Sequence, residues 1–429
     1  MKVDLEKGRS LFASGPLKIE VLEGHGHIFG KKIHKGDCVP VPEYKALPIY
    51  AEENLSLEID FLDGGNISEY KISLIPEEWR KFAEDLAKAK GPIKVIVLGD
   101  VDVGKTAFVT FLANMLHYSK RKVAIIDADT GQSDIGPPTT IGLGIMKEPL
   151  IFLSEIDAED AFFIGLTSPS GLLHRSITGI VKMVNKALKL GVDVVLIDTT
   201  GWVFDRQARD LKTCKIQVVE PDYVVLLQRN GELEHLVVPF RNTNISIVRL
   251  PASPVVRPRS RKERREIRRR IFYKEFENGR EIWIDLNKVG VTYSFLGTGS
   301  QASPETIEQL KQFLDIEILY CEESPDSLLI ILPNNTLISD EVKENLKEVF
   351  GKREVIFSSL EKLNHLLVSF TDNTGKFLGL GCIVDFDLEN HRLKIYTRVE
   401  EEKISTISFG YLKVNPSGEE EGWTGLWSC

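Results

Sequence analysis

The sequence predicts an α/β protein. A central phosphate-loop domain on a doubly wound, mostly parallel sheet is flanked by a β-rich amino-terminal domain and a mixed α/β or β-rich carboxy-terminal domain. Three observations predict this. The runs IKVIVL (93–98), KVAIID (122–127), VDVVLID (192–198), DYVVLLQ (222–228) and ISIVRL (245–250) are continuously apolar, as strands covered on both faces require. Helical patterns such as GLLHRSITGIVKMVNKALKLG (171–191) alternate with them. GDVDVGKT (99–106) follows the first run directly, as a glycine-rich strand-to-helix turn.

Residues 1–75 read as β-structure: Leu17, Ile19 and Val21 alternate with Lys18 and Glu20, and Asp63-Gly64-Gly65-Asn66 signals a turn. Over 77–89 the period becomes helical, with Trp79, Phe82, Ala83 and Leu86 on one face and Gly91-Pro92 as the stop. The strand-and-helix alternation then runs to about residue 250, and 257–276 is charged with helical spacing. Beyond about 282, short strands (SLLIILP, EVIFSS, HRLKIYTRV, ISFGYLKV) mix with helix-like segments near 304–314 and 339–350. The expected domains are 1–90, 91–282 and 283–429.

Composition narrows the class. The 429 residues are 42% hydrophobic and 27% charged, enough chain for a large core without covalent staples. A net charge of −9 argues against a uniformly basic nucleic-acid coat but leaves room for a local basic site. The five cysteines (38, 214, 321, 382, 429) form no CxxC pair, which points to a reducing cytoplasm rather than a disulfide framework or zinc site. MKVDLEKGRSLF lacks the apolar stretch of a secretion signal, and no run reaches the length of a membrane span. His25 and His27 in GHGH lack the further ligands of a metal site.

Backbone N–H groups of a glycine turn can wrap a phosphate only where no side chain intrudes, and the helix start adds partial positive charge. Gly99, Asp102, Val103, Gly104, Lys105, Thr106 and Ala107 would form that cradle. Lys105 would meet the β- and γ-oxygens and Thr106 would ligate Mg²⁺. Two strand ends carry carboxylates that could serve the metal or a reacting hydroxyl. One is Asp127-Ala128-Asp129-Thr130-Gly131-Gln132; the other is Asp198-Thr199-Thr200-Gly201-Trp202. The first comes directly after the loop helix, so its end should flank the triphosphate. The second has the Asp-x-x-Gly of a GTPase, but no Asn-Lys-x-Asp follows it, so a guanine pocket is unsupported. Either aspartate could instead cap a turn.

RPRSRKERREIRRR (257–270) has nine basic residues in fourteen within an acidic chain. It is either a solvated face or, with Ile267, Ile271, Phe272 and Phe276 to pack it, a mobile lid whose arginines meet phosphates. Trp202, at a strand end on the ligand edge, is either core or a stacking platform for a base.

The set GDVDVGKT (99–106), DADTGQSDIG (127–136), FIGLTSPSG (163–171), DTTGW (198–202) and VVRPRSRKERREIRRR (255–270) resembles the polynucleotide 5′-hydroxyl kinases. These are related to the kinase subunit of the pre-mRNA cleavage complex and to the ribosomal-RNA-processing kinase. KIEVLEGHGHIFGKKIHKGDCVPVP resembles their amino-terminal domain, and the last part of the chain occupies the place of their carboxy-terminal domain. The resemblance implies ATP and Mg²⁺ as cofactors, bound by Lys105 and Thr106. It implies that 5′-hydroxyl ends of single-stranded or duplex RNA or DNA are acceptors, and that RNA-processing proteins are partners. Asp127 and Asp129 would supply the Mg²⁺ shell and the base, in an order left open with a preference for Asp129 as the base. Gln132, Thr167 and Ser168 would lie near the reacting end. Thr199, Gly201 and Trp202 would form a substrate clasp. Arg259, Arg264, Arg265 and Arg268 would include the lid arginines of a segment at about 255–276. One departure is Asp100 in place of a small loop residue. The other readings are a GTPase or ATPase switch and a nucleotide-bound scaffold.

Overall fold

Nine short strands between Lys2 and Tyr70 form two antiparallel sheets. One orders Lys2–Leu5, Leu55–Phe61, Leu17–Glu23 and Cys38–Val41. The other orders Lys31–His34, His25–Ile28, Ala46–Ala51, Ser10–Ser14 and Asn66–Tyr70. Leu17, Ile19 and Val21 are buried and Lys18 and Glu20 exposed, so the two-residue period gives the strand its inner face. The computed structural model describes residues 1–333 and 336–425; Cys429 lies outside them. The four described cysteines are free thiols.

The chain divides into two compact units, 1–164 with 168–267, and 165–167 with 268–429. In the first unit, the helix Glu77–Lys88 buries Trp79, Phe82, Ala83 and Leu86, and a seven-stranded mixed sheet follows. Its order is Ala158–Phe163, Thr140–Ile145, Val123–Ala128, Val194–Thr199, Ile93–Gly99, Tyr223–Gln228 and Ser246–Pro251. The last five are parallel; Thr140–Ile145 runs antiparallel to both of its neighbours. Val194–Thr199 therefore sits between the strand that feeds the glycine loop and Val123–Ala128, which follows that loop's helix. The β-rich part and this sheet share one core: Asn114, fully buried on the helix Lys105–Tyr118, donates to the carbonyls of Phe29 and Leu150 at 2.8 Å each.

The second unit is itself mixed α/β. One sheet holds Arg280–Asp285, Arg392–Thr397, Phe377–Asp387, Leu366–Thr371, Thr406–Val414 and Gly290–Thr292, with Glu420–Trp423 added on Thr406–Val414. A four-stranded sheet carries the helices Pro304–Leu314 and Asp340–Phe350, each started by a serine, Ser303 and Ser339, that accepts from the third residue on. No helix among the described residues is long and apolar enough to cross a membrane.

Candidate phosphate-transfer site

The strand Ile93–Gly99 ends in the loop, and the helix Lys105–Tyr118 begins at once. Gly104 has φ +91°, and a Cβ there would lie 2.9 Å from the Ser253 Cβ, so glycine is required on both counts. Ser253 N–H donates to the Val103 carbonyl at 3.1 Å, bracing the loop from outside. Lys105 is buried, and its ammonium donates to the Asp100 carbonyl at 2.7 Å. Burial lowers its pKa, opposed by the charges of Asp198 and Asp129. Thr106 Oγ1 donates to Asp198 Oδ2 at 2.7 Å.

Asp127 and Asp198 stand at the same level on adjacent parallel strands, and both are buried. Their surroundings differ. Asp127 Oδ1 accepts from Asp129 N at 3.0 Å, and its Oδ2 accepts from Ile135 N at 3.1 Å, from Asp134 N and from Ser133 Oγ. Asp198 keeps Oδ1 buried without a partner, and burial raises its pKa to about 6 although Lys105 and Thr106 pull it down. The oxygens of Asp127 are thus filled by the loop that follows it, and Asp198 is the strand-end carboxylate bonded to the loop threonine. The reason is strand order. Sequence adjacency suggested Asp127 beside the loop, but Val194–Thr199 is inserted there, with Asp198 level with Val97. Asp129 is half-buried; its Oδ1 accepts from Gly131 N and Gln132 N at 3.1 Å each, and no described residue bonds its Oδ2. Gln132 Nε2 donates to the Gly131 carbonyl at 2.7 Å, while its Oε1 is buried without a partner.

The segment after Asp198 is held from beneath. Thr199 is fully buried; its hydroxyl donates to the Val97 carbonyl at 2.7 Å and accepts from Lys212 Nζ at 3.0 Å. Its hydroxyl is thus taken up by the strand beneath and by Lys212. Lys212, on the helix Arg206–Val219, is fully buried and also donates to the Thr200 carbonyl at 2.7 Å and to the Thr200 hydroxyl at 3.2 Å. Gly201 abuts Val101 of the loop so closely that a Cβ would lie 2.8 Å from the Val101 backbone. Trp202 is half-exposed, and its indole N–H donates to Asp205 Oδ2 at 2.7 Å.

The basic helix spans Arg261–Phe276, starting four residues later than the charge pattern suggested. Pro258 and a capping arrangement set that start: Ser260 Oγ accepts from Glu263 N at 3.2 Å and Glu263 accepts from Ser260 N at 2.7 Å. Arg264 Nη2 bonds Asp102 Oδ2 at 3.1 Å, joining this helix to the phosphate loop, and Arg264 Nε is buried without a partner. Arg259 Nε donates to the Tyr44 carbonyl at 3.0 Å. Arg265 is exposed. Arg268 belongs to the second unit, where it pairs with Glu420 at 2.5 Å (Nε to Oε1) and 3.1 Å (Nη2 to Oε2). Thr167 also groups with the second unit, and Ser168, exposed, with the first.

The donor set fits a nucleoside triphosphate and Mg²⁺. The glycine cradle, the buried lysine and the threonine hydroxyl would hold phosphates, and the buried, unpartnered Asp198 Oδ1 is a free oxygen donor for a cation or its waters. No group of three or more His, Cys, Asp or Glu among the described residues could hold a metal by itself.

Residues 99–278 match the family model described as the mRNA cleavage and polyadenylation factor CLP1 P-loop. The chain is 34% identical over 349 residues to a polyribonucleotide 5′-hydroxyl-kinase of Pyrococcus furiosus, covering 81% of this chain and 95% of that one. It is 31% identical over 356 residues to a polyribonucleotide 5′-hydroxyl-kinase of Methanocaldococcus jannaschii, covering 82% and 96%. A solved structure of the wild-type Clp1p–Pcf11p complex shares the fold, with TM-score 0.62 at 14% identity over 96% of this chain and 97% of that one.

Proposed function

The chain belongs to the polyribonucleotide 5′-hydroxyl-kinase family, and on that premise we propose that it transfers the γ-phosphate of ATP to the 5′-hydroxyl end of RNA or DNA. The observation that carries the reading is the junction of Lys105, Thr106 and Asp198 at the end of the strand pair Ile93–Gly99 and Val194–Thr199. Three functional parts follow: residues 1–90, the kinase domain 91–282, and 283–429. The protein acts in the cytoplasm, alone or with RNA-processing proteins.

Loop amides from Gly99 to Ala107 and the Lys105 ammonium bind the triphosphate. Thr106, Asp198 and Asp129 would hold Mg²⁺ or its waters, and the ion would neutralise charge on the phosphate oxygens. Asp129, with Oδ1 fixed by two amides, offers Oδ2 to the 5′-hydroxyl. The hydroxyl oxygen attacks the γ-phosphorus, the bond to the β–γ bridging oxygen breaks, and ADP leaves. The hydroxyl proton passes to Asp129. Arg264, aimed by Asp102, stabilises the three oxygens of the phosphoryl group in flight. Trp202 stacks on the terminal base, and Gln132 and Ser168 lie along the substrate's path.

The test is transfer of label from γ-labelled ATP to an oligonucleotide with a 5′-hydroxyl. A 5′-phosphorylated oligonucleotide and Lys105→Ala protein are the controls. Label on the hydroxyl oligonucleotide alone, lost in the variant, is expected. Label released only as free phosphate, at a rate indifferent to oligonucleotide, overturns the reading. RNA beside DNA gives the preference.

A further inference from the structure

The segment that presents Trp202 carries a second aromatic with no part in the scheme above. Phe204 lies two residues on, within about 7 Å of chain, so its ring is in reach of a neighbouring nucleotide. It is 50% exposed. It is also braced: its ring stacks on His235, with centroids 6.1 Å apart and planes 19° from parallel. His235 is fixed in turn, its Nε2 bonded to the Val203 carbonyl at 2.9 Å. Asp205 holds the segment between the two rings. Its Oδ2 takes the Trp202 indole and its Oδ1 accepts from Ala208 N at 3.0 Å, with a backbone φ of +73° that a residue with a Cβ adopts only under constraint. Two aromatic rings are thus fixed in place on one short loop at the carboxyl edge of the sheet. Exposed Arg206 and Arg209 open the next helix and supply positive charge for backbone phosphates.

We propose that Phe204, backed by His235, is the stacking position for the second base of a single-stranded 5′ end. This rests on the reading of Trp202 as the platform for the first base. Every base has a π-face, so the pair reads strand length and single-strandedness, not sequence. A substrate needs two unpaired nucleotides to fill both places.

The experiment uses 5′-hydroxyl hexaribonucleotides that are intact or carry one abasic ribose at position 1, 2 or 5, with KM and kcat measured at saturating ATP. In the unaltered protein the abasic site at position 2 raises KM about 5- to 150-fold, the range of one base stacked on one aromatic ring, and position 5 has no effect. Phe204→Ala raises KM for the intact hexamer by the same factor and gains no further loss from the position-2 abasic site, while position 1 still costs it. Phe204→Leu, which keeps apolar bulk without a ring face, behaves like Phe204→Ala, with ATP KM unchanged. Two results overturn the proposal: Phe204→Ala within twofold on the intact hexamer, or a position-2 loss that multiplies with that of the variant. The Trp202 reading fails separately, if the position-1 abasic site costs the unaltered protein nothing.

Discussion

Lys212 is the residue through which the clasp should be most sensitive. It is fully buried, and its three bonds, at 2.7, 3.0 and 3.2 Å, all go to Thr199 and Thr200. Lys212→Met keeps the aliphatic volume and removes those bonds. Three bonds at about 1–2 kcal/mol each, with the Thr200 carbonyl left bare, set a gross loss of about 3–6 kcal/mol. Against this stands the cost of burying the ammonium. Burial, with Lys215 and Lys105 nearby, holds the Lys212 pKa well below its ordinary value, so removal relieves a penalty of several kcal/mol. The net loss should be about 1–3 kcal/mol, or a Tm lower by about 2–8 °C. The larger effect is on function. With the Thr200 peptide loosened, Gly201 no longer sits fixed against Val101, and the Trp202 loop loses its footing. The acceptor KM should rise at least tenfold, with ATP affinity changed less than threefold because the Lys212 hydrogen bonds go to Thr199 and Thr200 and not to Lys105 or Thr106. Steady-state kinetics against a 5′-hydroxyl hexamer, beside thermal melting, decide it. A variant whose acceptor KM stays within twofold of normal refutes the argument. Thr200→Val removes only one of the three acceptors and should show the same pattern at smaller amplitude if Lys212→Met is too unstable to assay.

Three further outcomes follow. Asp102→Asn frees Arg264 from its 3.1 Å pair and removes a negative charge beside the triphosphate, so ATP KM should fall about two- to fivefold while kcat drops about tenfold; a kcat that holds in single-turnover assays excludes the aiming role. Gly201→Ala places a Cβ 2.8 Å from the Val101 backbone and should weaken ATP binding at least tenfold by calorimetry, with the fold retained. Lys215, buried, has its pKa lowered from 10.5 to about 8 chiefly by burial. The folded state therefore binds fewer protons than the unfolded state between pH 8 and 10.5, the penalty is full below pH 8, and stability rises with pH across that window. Lys215→Met should be more stable at pH 7 by up to about 3 kcal/mol and lose that slope, as urea midpoints at pH 7 and pH 10 will show.

The elements were legible because their periods are clean. The run 93–98 became the strand Ile93–Gly99, and the 77–89 pattern became the helix Glu77–Lys88 with the four named residues inside. The phosphate loop was legible because its chemistry is local: glycine geometry and the next two side chains define it. The different surroundings of Asp127 and Asp198 were not, because they depend on which strand lies beside the loop strand and on amides returning from residues 134 and 135. The two buried lysines were missed although a signal existed. On the helix Arg206–Val219 the buried positions are 208, 211, 212, 215, 216 and 219, a regular 3.6-period stripe, and Lys212 and Lys215 fall in the middle of it. A charged residue on the apolar face of a helix marks a buried cation that must find partners.

The amino-terminal β-structure gains a functional place from two adjacent residues. Tyr44 accepts from Arg259 through its carbonyl, and its ring lies 5.7 Å from the Arg257 guanidinium. Lys45 pairs with Asp134, whose own amide donates to Asp127 Oδ2. One short turn of the β-rich part therefore braces both the approach to the basic helix and the loop that carries Asp129. A helix of like charges would spread its arginines into solvent if left to itself, and an acidic loop beside a triphosphate would be pushed away from it. Holding both through a neutral carbonyl, a ring face and one half-buried ion pair fixes their positions without adding net charge at the point of transfer. The β-rich part and the sheet share a single core for the same reason: a brace that moved independently could not hold either wall of the site in register with the phosphate loop.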